Sequence, residues 1–266
     1  MSETQSMDQL LAIMTQLRNP EGGCPWDLEQ NFASIVPSTL EEAYEVADAI
    51  ESNDMPQLKE ELGDLLFQVV FYSQLGKEGN LFDFNDVADA ISQKLLHRHP
   101  HVFGDKHLQD EDAIHQNWEN LKAQERAAKG LSSVLADIPL ALPALSRAQK
   151  LQRRAANVGF DWKTPQAVLD KLDEEHQEFT EAMTANNREA MADELGDMMF
   201  CLVNLARHLK LDAETVLRQA NRKFERRFND VETQVVHSGE DWPAHSPEQL
   251  EAYWRQAKEN TRNNLD

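Results

Sequence analysis

A pair of acidic motifs, repeated once, constrains this chain more than any other feature. Glu41-Glu42-Ala43-Tyr44-Glu45 is followed by Glu61-Leu62-Gly63-Asp64, and the same order returns as Glu174-Glu175-His176-Gln177-Glu178 and Glu194-Leu195-Gly196-Asp197. Every matching position is displaced by 133 residues, half of the chain's 266. A repeat of that length divides the chain into two like halves.

On an α-helix, residues three apart share a face, so Glu42 and Glu45 project together, as do Glu61 and Asp64. Between the pairs lies Ser52-Asn53-Asp54-Met55-Pro56, a cluster of turn formers that stops one helix and starts the next. The expected unit is an antiparallel helical hairpin. Asn53 is the midpoint of Glu45 and Glu61, and also of Glu42 and Asp64. With a rise of ~1.5 Å per residue in both helices, each pair meets at one level and four carboxylates converge. In the second copy Asn186 is the midpoint of Glu178 and Glu194 and of Glu175 and Asp197, with Asn186-Asn187 as the turn.

An acidic helix face ordinarily just meets water. Here Leu62, Leu65, Leu66, Val69, Val70 and Phe71 leave the second helix little polar surface, and Leu195, Met198, Met199, Leu202 and Val203 do the same in the repeat. The carboxylates are therefore expected beside or within a core, where four like charges need a compensating cation. An all-oxygen set without Cys or His suits a hard ion. Mg²⁺, with Mn²⁺ as a substitute, is the expected cofactor.

With both copies complete, the chain resembles the MazG family of all-α nucleoside triphosphate pyrophosphohydrolases, whose signature is Glu-Glu-x-x-Glu, a spacer, then Glu-x-x-Asp. The resemblance implies hydrolysis of nucleoside triphosphates, ATP included, to the monophosphate and pyrophosphate, with Mg²⁺ activating water and neutralising phosphate charge. It carries Glu175, Glu178, Glu194 and Asp197 over as metal ligands, and Lys171, Lys223, Arg227 and Trp254 as substrate contacts. Glu42, Glu45, Glu61 and Asp64 keep the ligand pattern. Glu174 or Glu175 would orient the attacking water. One departure stands out: related proteins carry a basic residue just before Glu-x-x-Asp, where this chain has Ala190-Met191-Ala192-Asp193.

The halves differ at Lys171, which shares the helix face of Glu175, whereas the position 133 residues earlier is Ser38. Lys223 and Arg227 lie four apart on one helix side, and Lys94 and Arg98 repeat that spacing. Trp254 and Lys258 echo Trp118 and Lys122; an indole and an ammonium one turn apart suit a base and a phosphate. These differences favour the second half as the one that turns over. The alternative for each aromatic is an anchor for its helix.

The net charge of −21 argues against nucleic-acid or acidic-membrane surfaces, which need positive stripes. No secretory leader and no spanning apolar run is expected. Cys24 and Cys201, one per half, do not suggest a disulfide framework, and a reducing, cytoplasmic setting is expected. Helices are expected over 7–17, 82–96, 145–156 and 216–231, beside the hairpins. The loop Glu21 to Asp27 lacks the strand and Lys-Ser/Thr of a phosphate-cradling loop. His97, His99 and His101 read as a capped turn rather than a metal site.

The expected fold is all-α, with two tandem four-helix-like domains over 1–126 and 144–266, a linker over 127–143, and pairing into a homodimer. Two other classes remain. A di-iron carboxylate bundle wants Glu-x-x-His on two helices, which neither copy offers. A catalytically idle helical protein-interaction module is harder to separate for the first half alone.

Overall fold

A computed structural model describes residues 3–104 and 110–263. Among them every regular element is helical and no strand occurs, as the sequence pattern predicts. The chain forms two compact units, Met1–Lys122 and Ala123–Asp266.

In the first unit, α1 (Glu3–Leu17) and a short α2 (Pro25–Glu29) precede the hairpin of α3 (Val36–Glu51) and α4 (Met55–Glu78). The helix α5 (Phe84–Arg98), the single turn α6 (Pro100–Phe103) and α7 (Glu111–Ala128), which runs past the end of the unit at Lys122, follow. The core gathers Met14 of α1, Ile35, and Val70, Phe71 and Leu75 of α4, with Leu10, Phe67 and Phe84 packed around them. Met14 and Val70 are completely buried, and removing such a side chain costs about 2–5 kcal/mol. This core fixes the C-terminal half of α4 and leaves its N-terminal half, which carries Glu61 and Asp64, to pair with α3.

The second unit contains α8 (Ala144–Ala156), the hairpin of α9 (Pro165–Thr184) and α10 (Arg188–His208), then α11 (Ala213–Ser238) and α12 (Pro247–Asn263). Helix α8 packs on α10 and α11. Two buried amides hold that packing: Gln152 Nε2 donates to the Phe200 carbonyl at 2.7 Å, and Gln149 Nε2 donates to the Leu211 carbonyl at 2.9 Å. Gln149 Oε1 accepts from the Ala213 amide at 2.9 Å, so one side chain spans the α10–α11 junction. Val231, Val235 and Ala257 join α11 to α12.

The two hairpin turns match atom for atom. Asn53 and Asn186 both take the left-handed conformation, with φ of 56° and 50°. Asp54 N–H donates to the Ala49 carbonyl at 3.0 Å, and Asn187 N–H donates to the Ala182 carbonyl at the same distance. That pattern closes a helix C-terminus and satisfies its last carbonyls. The Asp54 and Asn187 side chains then cap α4 and α10 by accepting from Gln57 and Ala190. Four neighbouring positions in each copy thus end one helix and begin the next.

Several elements depart from the sequence expectation. Helix α5 starts at Phe84 because Asp83 and Asp86 form a reciprocal cap there. Helix α11 is longer at both ends, bounded by the Asp212 cap and by Gly239 at φ 73°. A short helix, started by Pro25, occupies part of the segment expected as loop. The apolar faces of the hairpins are also more open than expected: Leu62, Leu66 and Val69 on α4 and Leu195, Met199 and Leu202 on α10 are exposed. Periodicity identifies these residues as one apolar stripe, but nothing among the described residues of its own unit covers it. No helix among the described residues is long and apolar enough to cross a membrane.

Candidate metal and substrate site

Each hairpin brings its carboxylates together. Oxygen atoms of Glu42, Glu45 and Glu61 lie within 4.8 Å of one another in the first unit, and those of Glu175, Glu194 and Asp197 do so in the second. The remaining expected ligand of each half stands outside its triplet but acts on it. Asp64 repels Glu42, and the Glu178 side chain lies within hydrogen-bonding reach of Glu175. Full burial holds for Glu175 alone, at 5% exposure; Glu42, Glu61 and Glu194 are half-buried, and Glu45, Asp64, Glu178 and Asp197 are exposed beside the open apolar stripe.

The electrostatics differ between the copies. Burial, then repulsion from Asp64, raises the Glu42 acid. Partial desolvation by the neighbouring side chains, then the Glu61 and Glu42 charges, raises Glu45, although it is exposed. In the second unit Lys171 donates to Glu174 at 2.6 Å and pairs with Glu175 at 2.8 Å. Hydrogen bonding from Lys171 outweighs burial and holds the Glu175 carboxyl below its ordinary range. The ammonium is itself pushed up, first by Glu174 and then by Glu175. Glu194 lacks such a partner, so burial and Glu178 raise it. Beneath the cluster the Cys201 thiol is buried, and burial followed by the Glu175 charge pushes it up. Its counterpart in the first unit is Gln68, also buried, with Oε1 lacking any hydrogen-bond partner.

This donor set fits a hard divalent cation. Every ligand atom is a carboxylate oxygen, the triplets are compact, and one of them already holds an ammonium as its counter-charge. No His enters a candidate cluster among the described residues. His99 instead caps α5, its Nδ1 lying 2.7 Å from the Leu95 carbonyl, and its ring meets Trp118 edge-on.

Lys223, Arg227, Trp254 and Lys258 form a second group, on α11 and α12. Lys258 Nζ sits 5.8 Å from the Trp254 ring centroid, and Phe224 packs against the same indole at 5.3 Å. Phe224 stacks on Phe228 at 5.8 Å, and Phe228 on Trp242 at 5.5 Å, which makes a row of four rings. The i, i+4 spacing of Phe224 and Phe228 signals the middle of that row in the sequence; Trp242 has no such signal. Lys223 is exposed, whereas Arg227 is half-buried with no hydrogen-bond partner on Nε. No ion pair or hydrogen bond among the described residues joins these four side chains to the α9–α10 carboxylates. In the first unit Arg98 and Lys122 flank Trp118 at 5.8 and 5.3 Å.

Sequence reasoning also missed an anchor of α10. Arg207 pairs with Asp161, which ties the Gly159-Phe160-Asp161-Trp162 segment to the end of the motif helix. Two acidic residues three apart on each partner helix carried the signal for the hairpin, whereas a contact between distant loop and helix has no spacing to betray it.

Tandem acidic hairpins on an all-α scaffold, each closing three carboxylates into one cluster, define the class. The model of the MazG nucleotide pyrophosphohydrolase domain matches this chain twice, over residues 30–103 and 163–232. The chain is 51% identical over 254 residues to the nucleoside triphosphate pyrophosphohydrolase of Escherichia coli, covering 95% of this chain and 97% of that one. It is 42% identical to the nucleoside triphosphate pyrophosphohydrolase/pyrophosphatase MazG of Thermotoga maritima, covering 94% and 95% of the two chains. A nucleoside triphosphate pyrophosphohydrolase of Mycobacterium tuberculosis matches over 152 residues at 40% identity, 56% of this chain and 45% of that one. The chain belongs to the MazG nucleotide pyrophosphohydrolase family.

Proposed function

We propose that this protein hydrolyses nucleoside triphosphates to the monophosphate and pyrophosphate, with Mg²⁺ as cofactor, and that the second unit carries the turnover. The observation behind this reading is the Glu175, Glu194 and Asp197 triplet with Lys171 seated on it. A divalent ion there would supply charge neutralisation of the phosphate oxygens and a more acidic water.

The chain's own groups divide the remaining work. Glu175, Glu178, Glu194 and Asp197 would hold the ion. Glu174, exposed and one residue from Glu175, orients the attacking water and takes its proton at the carboxylate. The water oxygen bonds to the α-phosphorus as the bond from that phosphorus to the bridging oxygen breaks, and pyrophosphate leaves with the bridging oxygen. Lys171, Lys223, Arg227 and Lys258 offset the charge of the leaving group. Trp254 stacks the base, which selects for a flat ring rather than for a hydrogen-bond pattern and suits all canonical nucleotides. The two free cysteines suit a reducing cytoplasm.

A homodimer completes this reading. Gly63 and Gly196 sit inside α4 and α10, and a Cβ at either would meet nothing within 4 Å. Glycine inside a helix costs about 1 kcal/mol relative to alanine, so its recurrence beside Leu62 and Leu195 points to a close approach from outside the unit. A second copy covering the open apolar stripes supplies one. Gly196→Leu should shift the sedimentation mass toward the monomer; an unchanged monomeric wild type would sink the dimer.

Incubation of the full chain with each triphosphate and Mg²⁺, with products separated by chromatography, tests the activity. Monophosphate and pyrophosphate are expected, and excess EDTA should stop their release. Diphosphate and orthophosphate as primary products would overturn the assignment.

A further inference from the structure

The two carboxylate triplets differ in what already sits on them. On α9 the Lys171 ammonium bridges Glu174 at 2.6 Å and Glu175 at 2.8 Å. The first hairpin has Ser38 at the matching position, and the charged groups acting on its Glu42 and Glu45 are Glu41, Glu61 and Asp64, all acids. A metal ion and an ammonium cannot both hold the Glu175 oxygens at contact distance without strong mutual repulsion. Lys171 therefore competes with any ion entering the second triplet, whereas nothing on α3 competes at the first.

We infer that the clusters load by different rules: Glu42, Glu45 and Glu61 take a divalent cation from solution alone, whereas Glu175, Glu194 and Asp197 take it together with a triphosphate that accepts the Lys171 ammonium. This rests on the metal-dependent triphosphate reading above. The exchange needs no backbone movement, because lysine has a flexible four-carbon stem and a freely rotating head. Lys171 is partly exposed and Glu174 is open to solvent, so the ammonium has a path off the carboxylates. A polyphosphate offers it oxygens with more charge than the carboxylate it leaves. The second unit is thereby a receptor for the ion–triphosphate complex, and the first is a receptor for the bare ion.

The test counts Mn²⁺ bound by the full chain, by electron paramagnetic resonance, with and without the α,β-methylene analogue of ATP. Without the analogue, wild type should hold a tight class of Mn²⁺ that Glu61→Gln removes and Glu194→Gln leaves intact. Adding the analogue should create a second class that Glu194→Gln removes. Lys171→Met should expose that second class without nucleotide, tightening it about fivefold, and Ser38→Lys should weaken the first class by a similar factor. Lys171→Gln, which keeps a polar tip, guards against a loss caused by misfolding. Equal nucleotide-free filling of both triplets in wild type would overturn the inference, as would unchanged Mn²⁺ binding in both Lys171 variants. Pyrophosphate release from the same wild-type sample separates the two readings. Release alongside equal filling overturns the loading rule and leaves the hydrolase standing, whereas ordered loading without release does the reverse.

Discussion

Glu175 Oε1 lies 2.8 Å from Lys171 Nζ, one helical turn away on the same face of α9. Among the eight motif carboxylates this pairing singles out Glu175, the most buried of them and one held ionised by a neighbouring cation. Among its described residues the first unit has no equivalent, and its Glu42 and Glu45 are destabilised as anions instead.

The asymmetry sets an expectation for the ligand substitutions. Asp197→Asn removes a charged oxygen donor from the triplet that carries Lys171, so it should lower the rate of pyrophosphate release by about 10²-fold or more. Asp64→Asn should cost less than tenfold, since it lies outside the first triplet. Circular dichroism should remain helical for both. Collapse of turnover with Asp64→Asn alone would move the catalytic centre to the first unit.

In the absence of metal, stability should pass through a maximum on acidification. Glu42, Glu45 and Glu194 have raised acids, so their repulsion weakens the fold at neutral pH and is relieved as pH falls through those raised values. The Lys171–Glu175 pair acts oppositely. Its carboxylate contribution is complete above the unfolded value of 4.5 and is lost as pH falls through the lowered one. On the alkaline side the pair lasts until pH rises through the raised value of Lys171. Calorimetry in EDTA should therefore show the melting temperature rising as pH falls from 7 through the raised values of Glu42, Glu45 and Glu194, and falling again once pH drops below 4.5 through the lowered value of Glu175. Mg²⁺ should raise the melting temperature at pH 7 and flatten the rise; a monotonic profile in EDTA would contradict the carboxylate clustering.

The hairpin turns give a local test. Asn186 holds φ 50°, a conformation that costs a residue with a Cβ about 1–2 kcal/mol unless its side chain compensates. Asn186→Ala should destabilise the second unit by about 1 kcal/mol in urea titrations, whereas Asn186→Gly should be close to neutral. Equal loss from both would mean that the Asn side chain, rather than the backbone, secures the turn.

Trp254 should act on binding more than on chemistry. Replacing it with Ala removes the stacking face and leaves Phe224 and Lys258 without their common partner. KM should rise about tenfold for all bases alike, with kcat changed less, and Trp254→Phe should recover most of the loss. A rise confined to purines, or to one base, would contradict recognition by stacking.

Much of the site was legible because it is local. The spacing of Glu175 and Glu178, of Glu194 and Asp197, and of Lys171 and Glu175 is set by helix geometry, and the midpoint rule located Asn53 and Asn186 in the turns. The predicted span of α11 stops short at both ends, since the spacing that places it over 216–231 does not extend to the Asp212 cap or to the left-handed Gly239. What periodicity withholds is coverage. It marks Leu195, Met199 and Leu202 as one stripe without saying that the unit leaves them open. It likewise gives no hint that Gln149 closes the α10–α11 junction, or that Arg207 reaches Asp161, since those contacts depend on how separate elements meet.

The thiol beneath the second cluster offers a built-in reporter. Cys201 is buried on α10, and its neighbours disfavour the thiolate, so a small alkylating reagent meets an inert sulfur while α9 and α10 stay closed. Cys24, the other cysteine, lies in the first unit and is only half-buried. The rate at which Cys201 is labelled thus measures how often the second hairpin parts at that position, without any engineered site.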